Sequence, residues 1–437
     1  MKKVIAMTLV FFAITAQAQE NKQSYSFSLE EAINYAVTNN YAAINAGRDI
    51  ESAKQKKWET TAMGLPQINA GLDYQYNFEI QKVVIGDKEI PFGSKQNMTA
   101  RATLSQLIFD GSYIVALQAA KTYLKYFENA KQKTNVEIKE MVINAYGNVL
   151  LAEESIAILE KNKSILDKTL FDTKETFKNG LIEEENVEQL QITLSSVNSS
   201  LNNTKRLKDI AYKMLKINLG IDLAAEVKLT DKLDSLTTSN LDLALTQTEF
   251  NIANNIDYQI GLNFQDQRRL EMKRERSKAL PSLAANVNFG YNGYNDDQFE
   301  FFTKDQKWLN YSNLGVSLNV PIFSSFARSA RTQQAKIAYD QAKTQLTQTE
   351  QRLKLQYENS KSQYEFSIEQ YETSKSNLNL AERIERKQQI KFTEGLSSSY
   401  EFSEAQRQLY AAQQTYLQSM IDIINKKAAL EKIINKQ

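Results

Sequence analysis

Two periodicities divide the chain. From Leu72 to Ile80 an apolar or aromatic side chain stands at every even position and a polar one at every odd position, the alternation of a strand with one wet and one apolar face. The signal returns where Leu283, Ala285, Val287, Phe289 and Tyr291 alternate with Ala284, Asn286, Asn288 and Gly290. Gly64-Leu65-Pro66 introduces the first copy and Ala279-Leu280-Pro281 the second. Each acquires a partner: Met98, Ala100, Ala102 and Leu104 in one case, Leu314, Val316, Leu318 and Val320 in the other. Two hairpins result, with strands near the ~9–11 residues that cross a bilayer in a barrel. An ordinary half-buried antiparallel sheet has the same period.

The remainder has helical spacing. Ser28 with Glu31 forms a capping box and opens a helix expected to run to about Ala62. From Asp110 to Phe177 there is no proline, and Ile138, Met141, Ala145, Val149, Ala152, Ile156 and Leu159 recur three or four apart. Such a helix is a rod of roughly 100 Å, too long for one globular core. After Gly180 a second helix is expected over about Ile182–Ile217, antiparallel to the first, with its tip at Lys178–Leu181. The second half repeats the programme with helices over about Leu241–Lys278, Phe323–Phe392 and Ser399–Ile434. Pro281 lies 215 residues after Pro66, Gly395 lies 215 after Gly180, and Phe323 lies 214 after Phe109. The expected division is a signal peptide (1–18), an N-terminal arm (19–27), a first repeat (28–219, hairpin 65–109, tip near 180), a mixed link (220–239) and a second repeat (240–437, hairpin 280–321, tip near 395).

Composition then narrows the function. Met1-Lys2-Lys3, the apolar run Val4–Ile14 and Ala16-Gln17-Ala18 form a Sec-type signal with cleavage expected before Gln19. No later stretch carries the roughly 20 apolar residues of a transmembrane helix, so membrane insertion would be through strands. There is no cysteine and no histidine, which removes disulfides, the commonest general base and the usual ligands of zinc, copper and haem. No nucleophile–base pair, metal set or phosphate loop is visible, so neither enzyme chemistry, cofactor nor metal is expected. Net charge is +1, and about −1 without Lys2 and Lys3, so nucleic acid is not an expected partner. Glu183-Glu184-Glu185 reads as a solvated helix start.

Four strands cannot close into a membrane barrel, which needs at least eight, and an open edge in lipid leaves unpaired backbone groups costing several kcal/mol each. The chain must therefore oligomerise if its strands are transmembrane; two copies supply eight strands and three supply twelve. The long helices, with narrow apolar seams, likewise need lateral partners.

Leu29-Glu30-Glu31-Ala32-Ile33-Asn34-Tyr35-Ala36, Leu65-Pro66-Gln67-Ile68, Leu107-Ile108-Phe109-Asp110-Gly111 and Phe177-Lys178-Asn179-Gly180-Leu181, in this order and duplicated, resemble the TolC-like outer-membrane efflux protein family over essentially the whole mature chain. The resemblance implies a mainly α fold with a transmembrane β part: a homotrimer with a twelve-stranded β-barrel on a twelve-helix periplasmic coiled-coil tunnel. It implies an outer-membrane duct in lipid, extending into the periplasm, that docks to a periplasmic adaptor and an inner-membrane pump of RND, MFS or ABC type for efflux or type I secretion. An exported coiled-coil adaptor or tether is the alternative.

The resemblance also implies site residues. Glu401 and Glu404 follow the second tip glycine as pore-constriction residues, with Asn186 and Gln189 at matching offsets in the first repeat. In a trimer the glutamates would supply six carboxylates near one axis, a ring that favours cations and raises its own pKa if crowded; otherwise they are helix-start glutamates. Ser397 stands where some relatives carry a basic latch. Asn179, Gly180, Leu181, Glu394, Gly395 and Leu396 resemble adaptor-docking turns. Tyr74, Tyr76, Phe78, Phe289 and Tyr291 are expected barrel-surface aromatics, and Phe299, Phe301, Phe302 and Trp308 form either an exposed plug or an interface cluster.

Overall fold

The structure is a computed structural model describing residues 24–296 and 298–435; the expected signal peptide lies outside the described residues. In chain order the elements are β1 (Ser24–Phe27), α1 (Leu29–Asn39), α2 (Tyr41–Ala62), β2 (Gln67–Tyr76), β3 (Lys82–Ile85), β4 (Lys88–Pro91), β5 (Gln96–Asp110), α3 (Gly111–Lys178) and α4 (Glu184–Leu219). There follow β6 (Glu226–Leu229), α5 (Leu233–Ser239), α6 (Ile256–Ser277), β7 (Ser282–Asn295), β8 (Trp308–Asn319), α7 (Ala327–Thr393) and α8 (Ser399–Ile434). Two compact units emerge, and they cut across the sequence repeats. One takes the chain up to Gly47, Lys131–Tyr258 and everything from Glu350; the other takes Arg48–Ala130 and Gln259–Thr349.

The first unit holds the main core, where Ile138, Val142 and Val149 of α3, Leu215 and Leu219 of α4, Tyr364 of α7 and Ile421, Ile424 and Leu430 of α8 pack together. Within α3 one 18-residue window has the composition of a membrane span, contrary to expectation, but 61% of it is buried inside the protein. The arm and the mixed link contribute β1 and β6, which pair in parallel from Ser24↔Glu226 to Phe27↔Leu229. Strands this short exist only through their partner. Tyr146 fastens them, its hydroxyl lying 3.0 Å from the Phe27 carbonyl and 2.9 Å from the Asp231 carboxylate.

Two expected helices are broken, each at an asparagine and in the same way. The helix expected over 28–62 breaks at Asn40, whose backbone is extended (φ −60°, ψ 139°). Its Oδ1 accepts from the Ala42 N–H at 2.7 Å and restarts the helix, while its Nδ2 donates to the Asn218 carbonyl at 2.7 Å. The helix expected from 241 starts only at Ile256, after two 3-10 turns (Leu243–Gln247, Ile252–Asn254) capped by Asp242 and Asn251. Here Asn255 accepts from the Asp257 N–H at 2.9 Å and donates to the Ile433 carbonyl at 2.9 Å. Asn255 is 215 residues after Asn40, and Ile433 is 215 after Asn218, so the duplication extends to individual hydrogen bonds. A side chain that competes for backbone groups both caps a helix and ends one.

The second unit holds one antiparallel sheet in the order β2-β5-β7-β8, the two hairpins joined through β5 and β7. Registers run Gln67↔Ser105 in the first hairpin, Leu104↔Val287 at the join and Ser282↔Asn319 in the second hairpin. β2 stops at Tyr76, short of the expected Ile80, because Asn77 turns the chain by donating from its side chain to the Ser94 carbonyl at 2.9 Å. The loop between the two strands forms the β3–β4 hairpin. The helix expected from Phe323 begins at Ala327, because Ser325 and Phe326 hold left-handed φ values of 47° and 63°.

Candidate functional site

Two places carry the expected residues: the tips of the long helical hairpins, in the first unit, and the faces of the sheet, in the second.

The tips are built alike. α3 ends in a Schellman motif in which the Gly180 N–H donates to the Phe177 carbonyl (2.8 Å) and the Leu181 N–H to that of Thr176 (3.2 Å). α7 repeats it, Gly395 to Phe392 (3.1 Å) and Leu396 to Lys391 (2.7 Å). Both glycines have φ near +70°, which an L side chain resists. The residue after each glycine commonly folds back onto the helix in this motif. Here Leu181 and Leu396 instead stand 75% and 78% exposed. Asn179 and Glu394 are also exposed, so each turn presents one apolar side chain on a polar bend.

Just inside, Asn186 joins the two tips: its Oδ1 accepts from the Ser399 N–H at 3.2 Å and its Nδ2 donates to the Glu183 carbonyl at 3.3 Å. Glu401 closes a capping box with Ser398 and accepts from the Ser397 hydroxyl at 2.7 Å. These bonds from Ser397 and the Ser398 backbone hold its carboxyl below the ordinary carboxylate value. Glu404 pairs with Arg407 one turn on, an ion pair whose i,i+3 spacing is visible in the sequence. Gln189 is half-buried, and its carbonyl accepts from the Thr193 hydroxyl at 3.0 Å. A groove of about 980 Å³ runs between the tips, bordered by Lys168, Asp172, Gln389, Ser397 and Glu401.

Behind the groove Phe402, fully buried, stacks on Phe392 with centroids 5.4 Å apart and planes 8° from parallel. It belongs to a small cluster with Leu166, Leu170, Leu190 and Val197. Polar bridges continue upward: Thr193 to Ser403 at 3.2 Å and Asn162 to Gln413 at 2.8 Å. The buried Glu385 carboxylate accepts from Gln406, which accepts in turn from the Tyr410 hydroxyl. Burial pushes the Glu385 carboxyl above its ordinary value.

In the sheet one face carries Ile68, Leu72, Tyr74 and Tyr76, then Ala100, Ala102 and Leu104, then Val287, Phe289 and Tyr291, then Leu314, Val316 and Leu318, as the registers require. The band is open: Ile68 is 76% exposed and Leu314 71%. Phe78 lies past the end of β2, against Tyr76. The opposite face is a polar ladder: Thr99 donates to Asn292 (2.9 Å), Thr103 to Asn288 (2.8 Å) and Asn288 to Asn313 (2.9 Å), while Arg101 pairs with Asp73 (3.2 Å). Phe301, buried, sits among Tyr74, Phe299 and Trp308 as a packed aromatic cluster, with Phe299 and Phe302 exposed beside it. Among the described residues β2 and β8 are edge strands, each with one side unpaired.

Comparison with known proteins agrees with this geometry. Residues 263–436 match the family described as outer membrane efflux protein. The chain is 23% identical over 350 residues to the outer membrane protein TolC of Vibrio cholerae, covering 78% of this chain and 74% of that protein. It is 21% identical over 349 residues to the proteases secretion protein PrtF of Dickeya chrysanthemi, covering 78% and 72%. The fold superposes on the crystal structure of the Campylobacter jejuni CmeC outer membrane channel with a TM-score of 0.75 at 18% identity, over 96% of this chain and 90% of that one. A duplicated hairpin-and-rod chain, an apolar sheet face left open and a superposition over 96% of the chain converge on one fold, that of the outer membrane channel structures, and within it residues 263–436 match the outer membrane efflux protein family.

Proposed function

We propose that the protein is the outer-membrane exit duct of a tripartite efflux or type I secretion system, receiving small molecules or proteins from a periplasmic adaptor and an inner-membrane RND, MFS or ABC pump. The observation that carries this is the four-stranded sheet, apolar and open on one face, polar on the other and unpaired at both edges. An edge strand in lipid leaves its backbone groups unsatisfied, so such a sheet is stable in a bilayer only when other copies close it. Three copies make a twelve-stranded barrel with the Thr–Asn ladder lining the lumen and the aromatics facing lipid. Three sets of helical hairpins then make the tunnel.

The tips are the regulated end in this proposal. Leu181 and Leu396 on their rigid Schellman turns, with Asn179, Gly180, Glu394 and Gly395, are the adaptor's docking points. Glu401 and Glu404 line the entrance with Asn186 and Gln189. Because Arg407 offsets Glu404, each copy contributes one net negative charge from these three side chains, a ring weaker than six free carboxylates. The lumen ladder pairs Asp73 with Arg101 and is otherwise neutral, so charge selection belongs to the tips.

Single-channel recording of the purified, sized oligomer in a planar bilayer tests this. The expected result is a small, cation-preferring conductance. A protein that neither inserts nor needs detergent would instead be a coiled-coil tether.

A further inference from the structure

The helices that lead into the two hairpins match in length and place: α2 (Tyr41–Ala62) and α6 (Ile256–Ser277) begin and end 215 residues apart. Their charges are not copied. From Asp266 to Lys278 the chain carries six cations and three acids. Each acid is taken by a cation of its own: Asp266 by Arg269 at 3.1 Å, Glu271 by Arg268 at 2.7 Å and Glu275 by Lys278 at 2.5 Å. Lys273, Arg274 and Arg276 are left over, all three exposed and, among the described residues, without an ion pair.

Cations near a helix C-terminus are favoured by the helix dipole, but the fold does not ask for them here. α2 ends at the equivalent place with no basic residue in its last turn, and the counterparts of Lys273, Arg274 and Arg276 are Trp58, Glu59 and Thr61. Nor do the neighbouring elements neutralise the surplus. At this end of the sheet β7 lies between β5, which exits into α3, and β8, which leads to α7. α3 has no acid before Glu128 and α7 none before Asp340. The Asp110 carboxylate at the end of β5 accepts from the Ser112 and Tyr113 N–H groups, and Glu59 of α2 is paired with Lys56. Arg331, exposed on the second turn of α7, adds a further cation.

We infer that this basic cluster binds the anionic headgroups of phospholipid in the leaflet nearest the helices, with phosphate against Lys273, Arg274 and Arg276 and acyl chains against the apolar face of β7 and β8. This rests on the membrane reading of the sheet and adds a lipid class and the residues that hold it. Arg276 stands six residues before Ser282, where β7 begins, and the open apolar band starts at once with Leu283 and its partner Leu318. Leu280 and Ile322, in the connections between helix and strand, are exposed as well. Cations just past an apolar surface stand where headgroup phosphates lie, their stems on the apolar side and their charge in the headgroup layer. Guanidinium groups add paired donors that fit phosphate oxygens. Trp58, 60% exposed at the equivalent position of the first repeat, is a residue type enriched at membrane interfaces. One repeat thus meets the interface with an aromatic ring and the other with charge.

Native mass spectrometry of the detergent-solubilised full-length protein, titrated with phosphatidylglycerol or with phosphatidylcholine of the same chains, tests this. Phosphatidylglycerol should bind about tenfold tighter, each cation contributing a few-fold, and the preference should shrink as salt rises. Lys273→Gln/Arg274→Gln/Arg276→Gln should bring the two lipids level. Lys161→Gln/Arg383→Gln/Lys387→Gln, which removes the same charge from exposed positions of the first unit, should leave the preference intact. Equal binding of both lipids by the unaltered protein overturns the site and points to carboxylates of a neighbouring copy as the partners of these cations. A preference that survives the first triple change, or that falls equally in the second, overturns the assignment to these residues. Displacement of the lipid by an excess of inorganic phosphate overturns the lipid assignment in favour of a general anion patch. A protein that binds neither lipid and stays in solution without detergent overturns the membrane reading as well.

Discussion

Phe402→Ala should loosen the hairpin tips without touching the sheet. The side chain has no exposed area, stacks on Phe392, and sits in a cluster separate from the main core. Truncating a buried phenylalanine costs about 3–5 kcal/mol in transfer and cavity terms, of which the aromatic stack accounts for ~0.5–1.5 kcal/mol. Near the middle of that range, local opening becomes about a thousandfold more frequent. Native-state hydrogen exchange on the reconstituted protein reads this directly: amides from Leu190 to Leu201 and from Ser403 to Leu409 lose protection by that factor, while amides of β5 and β7 do not change. A loss below tenfold at the tips, or an equal loss in the sheet, would refute the claim that Phe402 fastens α4, α7 and α8 as a unit with its own stability. With the tips loosened, the single-channel conductance should rise.

Glu401→Gln with Glu404→Gln keeps the capping box, which accepts glutamine, and should reduce cation preference and block by multivalent cations; unchanged ion selectivity removes both residues from the pore. Glu385 gives a pH signature. Burial raises its carboxyl, so in the window above the ordinary carboxylate value the folded chain holds a proton the unfolded chain has released. Stability is therefore greatest at acid pH, falls as pH rises through the raised value, and is flat above it. Glu385→Gln should abolish this slope and stabilise the tips at neutral pH, measured by exchange from about pH 4 to 8; a variant that keeps the slope refutes it. Asn40→Ala and Asn255→Ala each remove a helix cap and strand a carbonyl, at about 1–2 kcal/mol apiece. The two losses should match in denaturant titrations, and a mismatch beyond twofold would break the equivalence of the repeats.

Alternation of side chains around Leu72 and Val287, three-and-four spacing along α3, and glycines 180 and 395 are local signals, and local physics made them legible: a pleat has period two, a helix 3.6, and a left-handed turn wants glycine. The duplication too was countable from Pro66 and Pro281. What a single stretch could not reveal depended on partners distant in the chain. The strands Ser24–Phe27 and Glu226–Leu229 exist because they pair, not because four residues favour a strand. Asn40 and Asn255 break helices that propensity would continue, because the Asn218 and Ile433 carbonyls stand ready to receive their side chains. Spacing put Glu401 and Glu404 on one helix face, but the tertiary arrangement gave them different company. Serines at the cap hold the Glu401 carboxyl below its ordinary value, Arg407 offsets Glu404, and Asn186 reaches across to the opposite tip. Sequence determined the elements, their order and their repetition, because those follow from short-range sterics and amphipathic period. Tertiary structure alone decided which edges stay open and which charges stay free, because both are settled by what arrives from elsewhere in the chain.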